Sequence, residues 1–162
     1  MHGILVPVDG SDHALKALHI ACDLAEKYGG KIALLHVLVE GRQAADLLGL
    51  KVAKSFGPKL RTALQEAAAK TATPIPLSLL KTIGQQILDQ AAERVQRRGL
   101  QSDSLDMTLD APADAILAAQ KRIGAGTIVM GCRGVSDAGG SSFGSVSNVV
   151  FAKAKCTCLS VK

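Results

Sequence analysis

The sequence predicts an α/β domain whose five-stranded parallel sheet carries helices on both faces, and three observations predict it. Short apolar runs of strand length recur along the chain, as in Ile4-Leu5-Val6-Pro7-Val8 and Ile32-Ala33-Leu34-Leu35-His36-Val37-Leu38. Unbroken hydrophobicity of that kind marks strands covered on both faces. Between the runs lie stretches whose apolar residues recur three and four positions apart, the period of a helix with one buried stripe. The two periods alternate, and strand, helix and strand fit into fewer than forty residues. That spacing implies parallel strands joined by a right-handed crossover.

The first strand ends at Asp9-Gly10-Ser11, where Ser11 is a good N-cap. The helix that follows sets Ala14, Leu15, Leu18, Ala21, Cys22 and Ala25 on one side and Lys16, His19, Asp23, Glu26 and Lys27 mainly on the other. Gly29-Gly30 stops it. After the second strand, residues 40–75 form a variable crossover punctuated by Gly41, Gly49, Gly57-Pro58 and Pro74, with one amphipathic helix predicted near 59–70. This stretch is longer than a crossover needs, so it is either a flexible lid or a packed surface excursion. A further helix fits 78–98 on the stripe Ile83, Ile87, Ala91 and Val95, with Gly99 beyond its end.

Leu105, Met107 and Leu109 alternate with Asp106, Thr108 and Asp110, which predicts an edge strand over 104–110 with one wet face. Pro112 suits the first turn of a helix carrying Ala115, Ile116, Ala119 and Ile123, closed by Gly124 and Gly126. Thr127–Met130 reads as a central strand. A last helix is predicted over 145–155 with Val146, Val149 and Val150 inward, and Thr157–Val161 as the fifth strand. The 162 residues thus make a single domain, long enough to bury a proper core.

Bulk composition narrows the function classes. No run of about 18 apolar residues is present, so no membrane span is expected. The start of the chain lacks the basic segment and cleavage site of a signal peptide, and a cytoplasmic protein is the expectation. Cys22, Cys132, Cys156 and Cys158 form neither a CxxC pair nor a zinc knuckle, and read as free thiols. The net charge of +5 raises nucleic acid as a partner. Against it, the basic residues are scattered and aromatics are 2% of the chain, too few for a base-stacking platform. A solvated basic surface that attracts anionic ligands is the preferred reading.

One stretch carries chemistry. Thr127-Ile128-Val129-Met130 runs into Gly131-Cys132-Arg133-Gly134, and after nine further residues comes Gly144-Ser145-Val146-Ser147 at a helix start. Glycines let backbone N–H groups approach an anion, and a helix start offers unpaired donors with a favourable dipole. The same stretch could instead be a tight strand-to-helix connection without a ligand. The nine-residue loop, 135–143, has no Lys or Arg and contains Asp137, which leaves Arg133 as the nearby cation in sequence.

With these elements laid out, the sequence resembles the universal stress protein family over nearly its whole length. The resemblance rests on Val6-Pro7-Val8-Asp9-Gly10-Ser11, on Leu35-His36-Val37, on Asp110-Ala111-Pro112-Ala113-Asp114-Ala115-Ile116 and on Ile128-Val129-Met130-Gly131. Above all it rests on Gly131-x-x-Gly134-(nine)-Gly144-Ser145, the pattern of the ATP-binding branch. The resemblance implies a Rossmann-like sandwich, akin to the adenine nucleotide alpha hydrolases, with ATP (or ADP or AMP) across the carboxyl ends of the strands. Pro7, Val8 and Asp9 would line the adenosine, with the Asp9 carboxylate at adenine or ribose, and Val37 would pack on the adenine. Met130, Gly131, Arg133 and Gly134 would surround the ribose and first phosphate. Gly144, Ser145, Val146 and Ser147 would hold the phosphates through backbone N–H and hydroxyl groups. Asp137 would repel a polyphosphate unless a divalent metal such as Mg²⁺ lies between them.

The residues favour a binder over an enzyme. The loop Val8-Asp9-Gly10-Ser11-Asp12-His13 carries no Ser-Gly-Gly-x-Asp-Ser signature, and no P-loop or His-x-Gly-His motif is present. His2, His13, His19 and His36 show no metal-ligand spacing, and Ser145 has no His base near it in sequence. An ATP-binding regulatory or sensor protein of the stress response is expected. A partner-binding module without nucleotide and a slow ATP hydrolase are the alternatives. The apolar strand 157–161 at a sheet edge predicts a homodimer paired there, as the family resemblance also implies.

Overall fold

The computed structural model describes residues 3–70, 74–133 and 144–162. Its main sheet is wholly parallel and has the order β4-β2-β1-β6-β7, formed by β1 (Ile4–Pro7), β2 (Ile32–Leu35), β4 (Ser102–Ser104), β6 (Thr127–Gly131) and β7 (Thr157–Val161). Helices α1 (Asp12–Tyr28) and α4 (Leu77–Arg97) cover one face, and α5 (Pro112–Ile123) and α6 (Ser145–Lys153) cover the other. Alternate residues of a strand point to opposite faces. Val6 and Leu34 therefore join the α1/α4 side, while Leu5, Leu35, Ile128 and Met130 pack beneath α5 and α6.

The predicted helices form where their patterns lie. Ser11 caps α1 with its hydroxyl, which accepts the Ala14 N–H at 3.2 Å, and Gly29 ends the helix at φ +69°. The crossover folds as α2 (Ala44–Leu48), a 3-10 turn at Lys51–Ser55 and α3 (Pro58–Ala69). It is a packed excursion: Ala44, Leu47, Val52, Ala53, Phe56 and Leu64 are buried in the same core as α1 and α4. Val52 closes over Gly10, whose φ of +83° and tight surroundings admit no side chain. On the surface, Arg98 ties α4 to α1 through Asp23 and Glu26.

Two strands differ from the sequence expectation, and for one reason. The run 32–38 is broken at His36 into β2 and β3 (Val37–Leu38). The buried His36 ring stands 2.7 Å from the Val8 carbonyl, taking the place of a ladder bond. Its neighbour breaks at the same level. The edge strand of the sheet is Ser102–Ser104, the Leu105 N–H still reaches the Leu34 carbonyl, and then the chain steps away. Thr108 and Leu109 form β5, which pairs in parallel with β3 as a separate two-stranded ladder. Helix α6 also departs from its reading. It ends at Lys153, and Ser147 and Val150 point inward while Val149 is exposed.

Candidate functional site

The sheet opens at the carboxyl ends of β1 and β6. Strand β1 stays paired with β2 through Pro7 opposite Leu35, but with β6 only through Ile4 and Leu5. Sequence order also reverses here, with β2 and β4 on one side of β1 and β6 and β7 on the other. Open α/β sheets take ligands at such a switch point. A cleft of about 290 Å³ lies there.

Eleven of the twelve residues selected from the sequence line this cleft. Pro7, Val8 and Asp9 enter from β1, Val37 from β3, Met130, Gly131 and Arg133 from the end of β6, and Gly144, Ser145, Val146 and Ser147 from the start of α6. Gly134, the loop 135–143 and Asp137 lie outside the described residues. Pro112 and Ile116 close the cleft from α5, and Val39 and Arg42 from the segment after β3. These four were missed. The sequence pattern marks Pro112 as a helix start and Ile116 as core. Arg42 lies in the crossover, where no periodic pattern pointed to a position in space.

The start of α6 is built as a donor end. Gly144 is the N-cap and gives its own N–H to the Cys132 carbonyl at 2.7 Å. The first bond of the helix runs from Asn148 N–H to Gly144, so the N–H groups of Ser145, Val146 and Ser147 precede the ladder. Among the described residues no side chain caps them, and the first turn carries no acid. The Ser147 hydroxyl is buried and lies 2.9 Å from both the Cys132 and Gly144 carbonyls, so its proton ties the two chain segments together. Ser147 lines the cleft, and its hydroxyl serves the fold.

Gly131 has a packing reason of its own. A Cβ there would stand 2.7 Å from His13 Cβ and 2.8 Å from the His13 backbone carbon, so glycine allows α1 to begin against the end of β6. Asp9 is held by a turn in which its Oδ1 accepts the Ser11 N–H at 2.9 Å. Beneath it, His36 donates from Nδ1 to the Val8 carbonyl, since a carbonyl only accepts. Burial pushes the His36 imidazole below its ordinary basicity, against the pull of the Val8 bond, and the Arg42 charge lowers it further while Asp9 opposes. Arg42 has its Nε wholly buried, with no hydrogen-bond partner among the described residues.

The arrangement can hold an anion at the α6 side and a flat apolar group against Val8, Val37 and Met130. A divalent ion would fit only alongside such a ligand. Among the described residues no group of three His, Cys, Asp or Glu side chains could hold a metal, and Mg²⁺ is commonly held by substrate phosphates and water with few protein ligands. No helix among the described residues is long and apolar enough to cross a membrane.

Comparison with known proteins places the chain. Its sequence matches the Universal stress protein family over residues 1–162. Universal stress protein YxiE of Bacillus subtilis is 30% identical to it over 164 residues, spanning 98% of this chain and 97% of the relative. Universal stress protein UspA from Lactobacillus plantarum has a similar fold, with a TM-score of 0.70 at 20% identity over 99% of this chain and 97% of that one. The universal stress protein from Archaeoglobus fulgidus, solved in complex with dAMP, gives a TM-score of 0.62 at 21% identity over 100% and 98% of the two chains. At those identities the solved structures speak for the fold alone. The family match and the sequence relative both span essentially the full length, and on that ground the chain belongs to the universal stress protein family.

Proposed function

We propose that this universal stress protein binds an adenine nucleotide, ATP (or ADP or AMP), in the cleft between β1 and β6, and that it acts as a regulatory or sensor protein. The observation that carries the reading is a cleft at the switch point of the sheet, with an apolar slot beside a helix N-terminus that no side chain caps among the described residues. A purine needs the first and a phosphate chain the second. Adenine would lie against Val8 and Val37, with the Asp9 carboxylate at the ribose. Met130, Gly131 and Arg133 would border the ribose and first phosphate. The N–H groups of Ser145, Val146 and Ser147 would face the phosphates, and Mg²⁺ would arrive with them. That a relative of the same fold was solved with dAMP supports the base and sugar end of this assignment.

Strand β7 supports a homodimer. It lies at the edge of the sheet, with Leu159 and Val161 half-buried and no strand beyond it among the described residues. Pairing with its own copy across a two-fold axis would satisfy that edge. The cytoplasm is the compartment that suits its four unpaired thiols.

The test is direct. Freshly purified protein is denatured, the released small molecules are separated by chromatography, and the emptied, refolded protein is titrated with ATP with and without Mg²⁺. Adenine nucleotide in the released pool, or saturable heat on titration, is expected. The absence of both would overturn the reading. Sedimentation at micromolar concentration should give twice the chain mass, and a single-chain mass would remove the dimer.

A further inference from the structure

Two of the four thiols stand together. Cys156 immediately precedes β7 and Cys158 lies within it, so their side chains leave the same face of the strand. Both pack against the α5/α6 side of the core, whereas Leu159 and Val161 turn to the α1/α4 side. The Cys158 thiol donates back to the Cys156 carbonyl at 3.7 Å, which turns its side chain toward its neighbour. The Cys158 thiol is pushed up to about 11, first by burial and then by the Cys156 thiol beside it. Two thiolates side by side in a half-buried place repel, and a cation shared between them removes that cost. Cys22 and Cys132 are buried, while Cys156 and Cys158 are only half-buried and within reach of a small ion.

We infer that Cys156 and Cys158 form a two-thiolate site for a soft monovalent cation, Cu(I), at the start of β7. Thiolate sulfur is a soft donor and selects such an ion. A structural Zn²⁺ takes four ligands, and among the described residues no group of three His, Cys, Asp or Glu side chains could hold a metal. A pair of sulfurs on one strand face suits an ion content with two. On binding, two S–Cu bonds form, both S–H protons pass to water, and no electron is transferred. The resulting centre carries one negative charge, and Lys153 and Lys155 adjoin it in sequence. Gly131 and Val161 mark the end of β6 and β7 nearest the cleft, whereas Cys158 pairs with Ile128 further down the strand. The site is therefore separate from the proposed nucleotide cleft and does not depend on that reading. It also uses side chains on one face of β7, not the edge groups that would pair two copies.

The experiment is an anaerobic titration of the reduced full chain with Cu(I) against a competing Cu(I) chelator. The proteins are the wild type, Cys156→Ser, Cys158→Ser and the variant with both changes. The wild type should take one Cu(I) per chain, and X-ray absorption should show two sulfur neighbours. Each single variant should bind at least about a hundredfold more weakly, because one of two linked donors is lost. Cu(I) should raise the melting temperature of the wild type and leave that of the double variant where it was. Alanine versions of the same variants repeat the measurement, so that a hydroxyl ill-placed among apolar neighbours is not mistaken for a lost ligand. A wild type that loses Cu(I) to the chelator, a single variant with wild-type affinity, Cu(I) retained by the double variant, or a spectrum with three or four neighbours would each overturn the inference.

Discussion

Helices α1 and α6 both begin at the carboxyl end of the sheet, on either side of the β1/β6 gap, yet the protein treats their first turns in opposite ways. The start of α1 is closed from within. Ser11 caps it, Asp9 holds Ser11, Asp12 in the first turn pairs with Lys51 at 2.6 Å, and the crossover seals Gly10 beneath Val52. The start of α6 has a glycine cap, no acid in its first turn, and a serine whose hydroxyl faces carbonyls. Every helix leaves N-terminal donors unsatisfied. Where the chain supplies oxygens of its own, the helix end serves the fold; where the described residues supply none beside a cleft, the end is available to an anion.

The comparison can be broken most strongly at the point where the two ends touch. Gly131→Ala would push a methyl into the His13 backbone, and about 1–3 kcal/mol of stability should be lost in urea denaturation, since backbone cannot yield as a side-chain tip can. An unchanged midpoint would mean that α1 can shift away from β6.

Making α6 resemble α1 is the next test. Ser145→Glu places a carboxylate in the first turn, where it would serve the helix dipole and repel phosphate. Affinity for ATP should fall about tenfold or more, which is about 1.4 kcal/mol, while the melting temperature holds or rises slightly. If ATP binds equally well, the α6 end is not where the phosphates lie. Conversely, Ser11→Ala opens the start of α1. It should cost about 1 kcal/mol in urea and leave nucleotide affinity unchanged, because the Ser11 hydroxyl is taken up by the Ala14 N–H and Ser11 does not line the cleft.

The smallest effect concerns His36, on the floor between the two ends. Burial holds its folded basicity below the ordinary value of 6.5, so the unfolded chain takes up a proton first as the pH falls. Its contribution is present above about pH 6.5 and is lost as the pH drops below that value. Stability measured across this range should slope downward toward acid, and His36→Asn should flatten the slope. An unaltered slope would assign it to other groups.

Much of the site was legible because its residues sit at the ends of strongly patterned elements. Val8-Asp9-Gly10-Ser11 and Met130-Gly131 are each the point where an apolar run stops and a turn residue begins, and Gly144-Ser145 is a helix start. Those signals are local. Arg42 was invisible for the opposite reason: it stands between short elements whose burial depends on α1 and α4. His36 looked like one more strand residue because its effect runs through the carbonyl of Val8, 28 positions away.

The sequence alone therefore determined the kinds of elements, their order and the turn residues between them, since periodicity, capping and glycine stops act over a few residues. Tertiary structure decided what depends on partners distant in the chain. It broke β2 and its neighbour at a common level, packed the crossover into the core, turned the Ser147 hydroxyl inward and brought Arg42 to the wall of the cleft. Each of these outcomes was set by competition among groups for the same buried space and the same hydrogen bonds, which only the folded chain brings together.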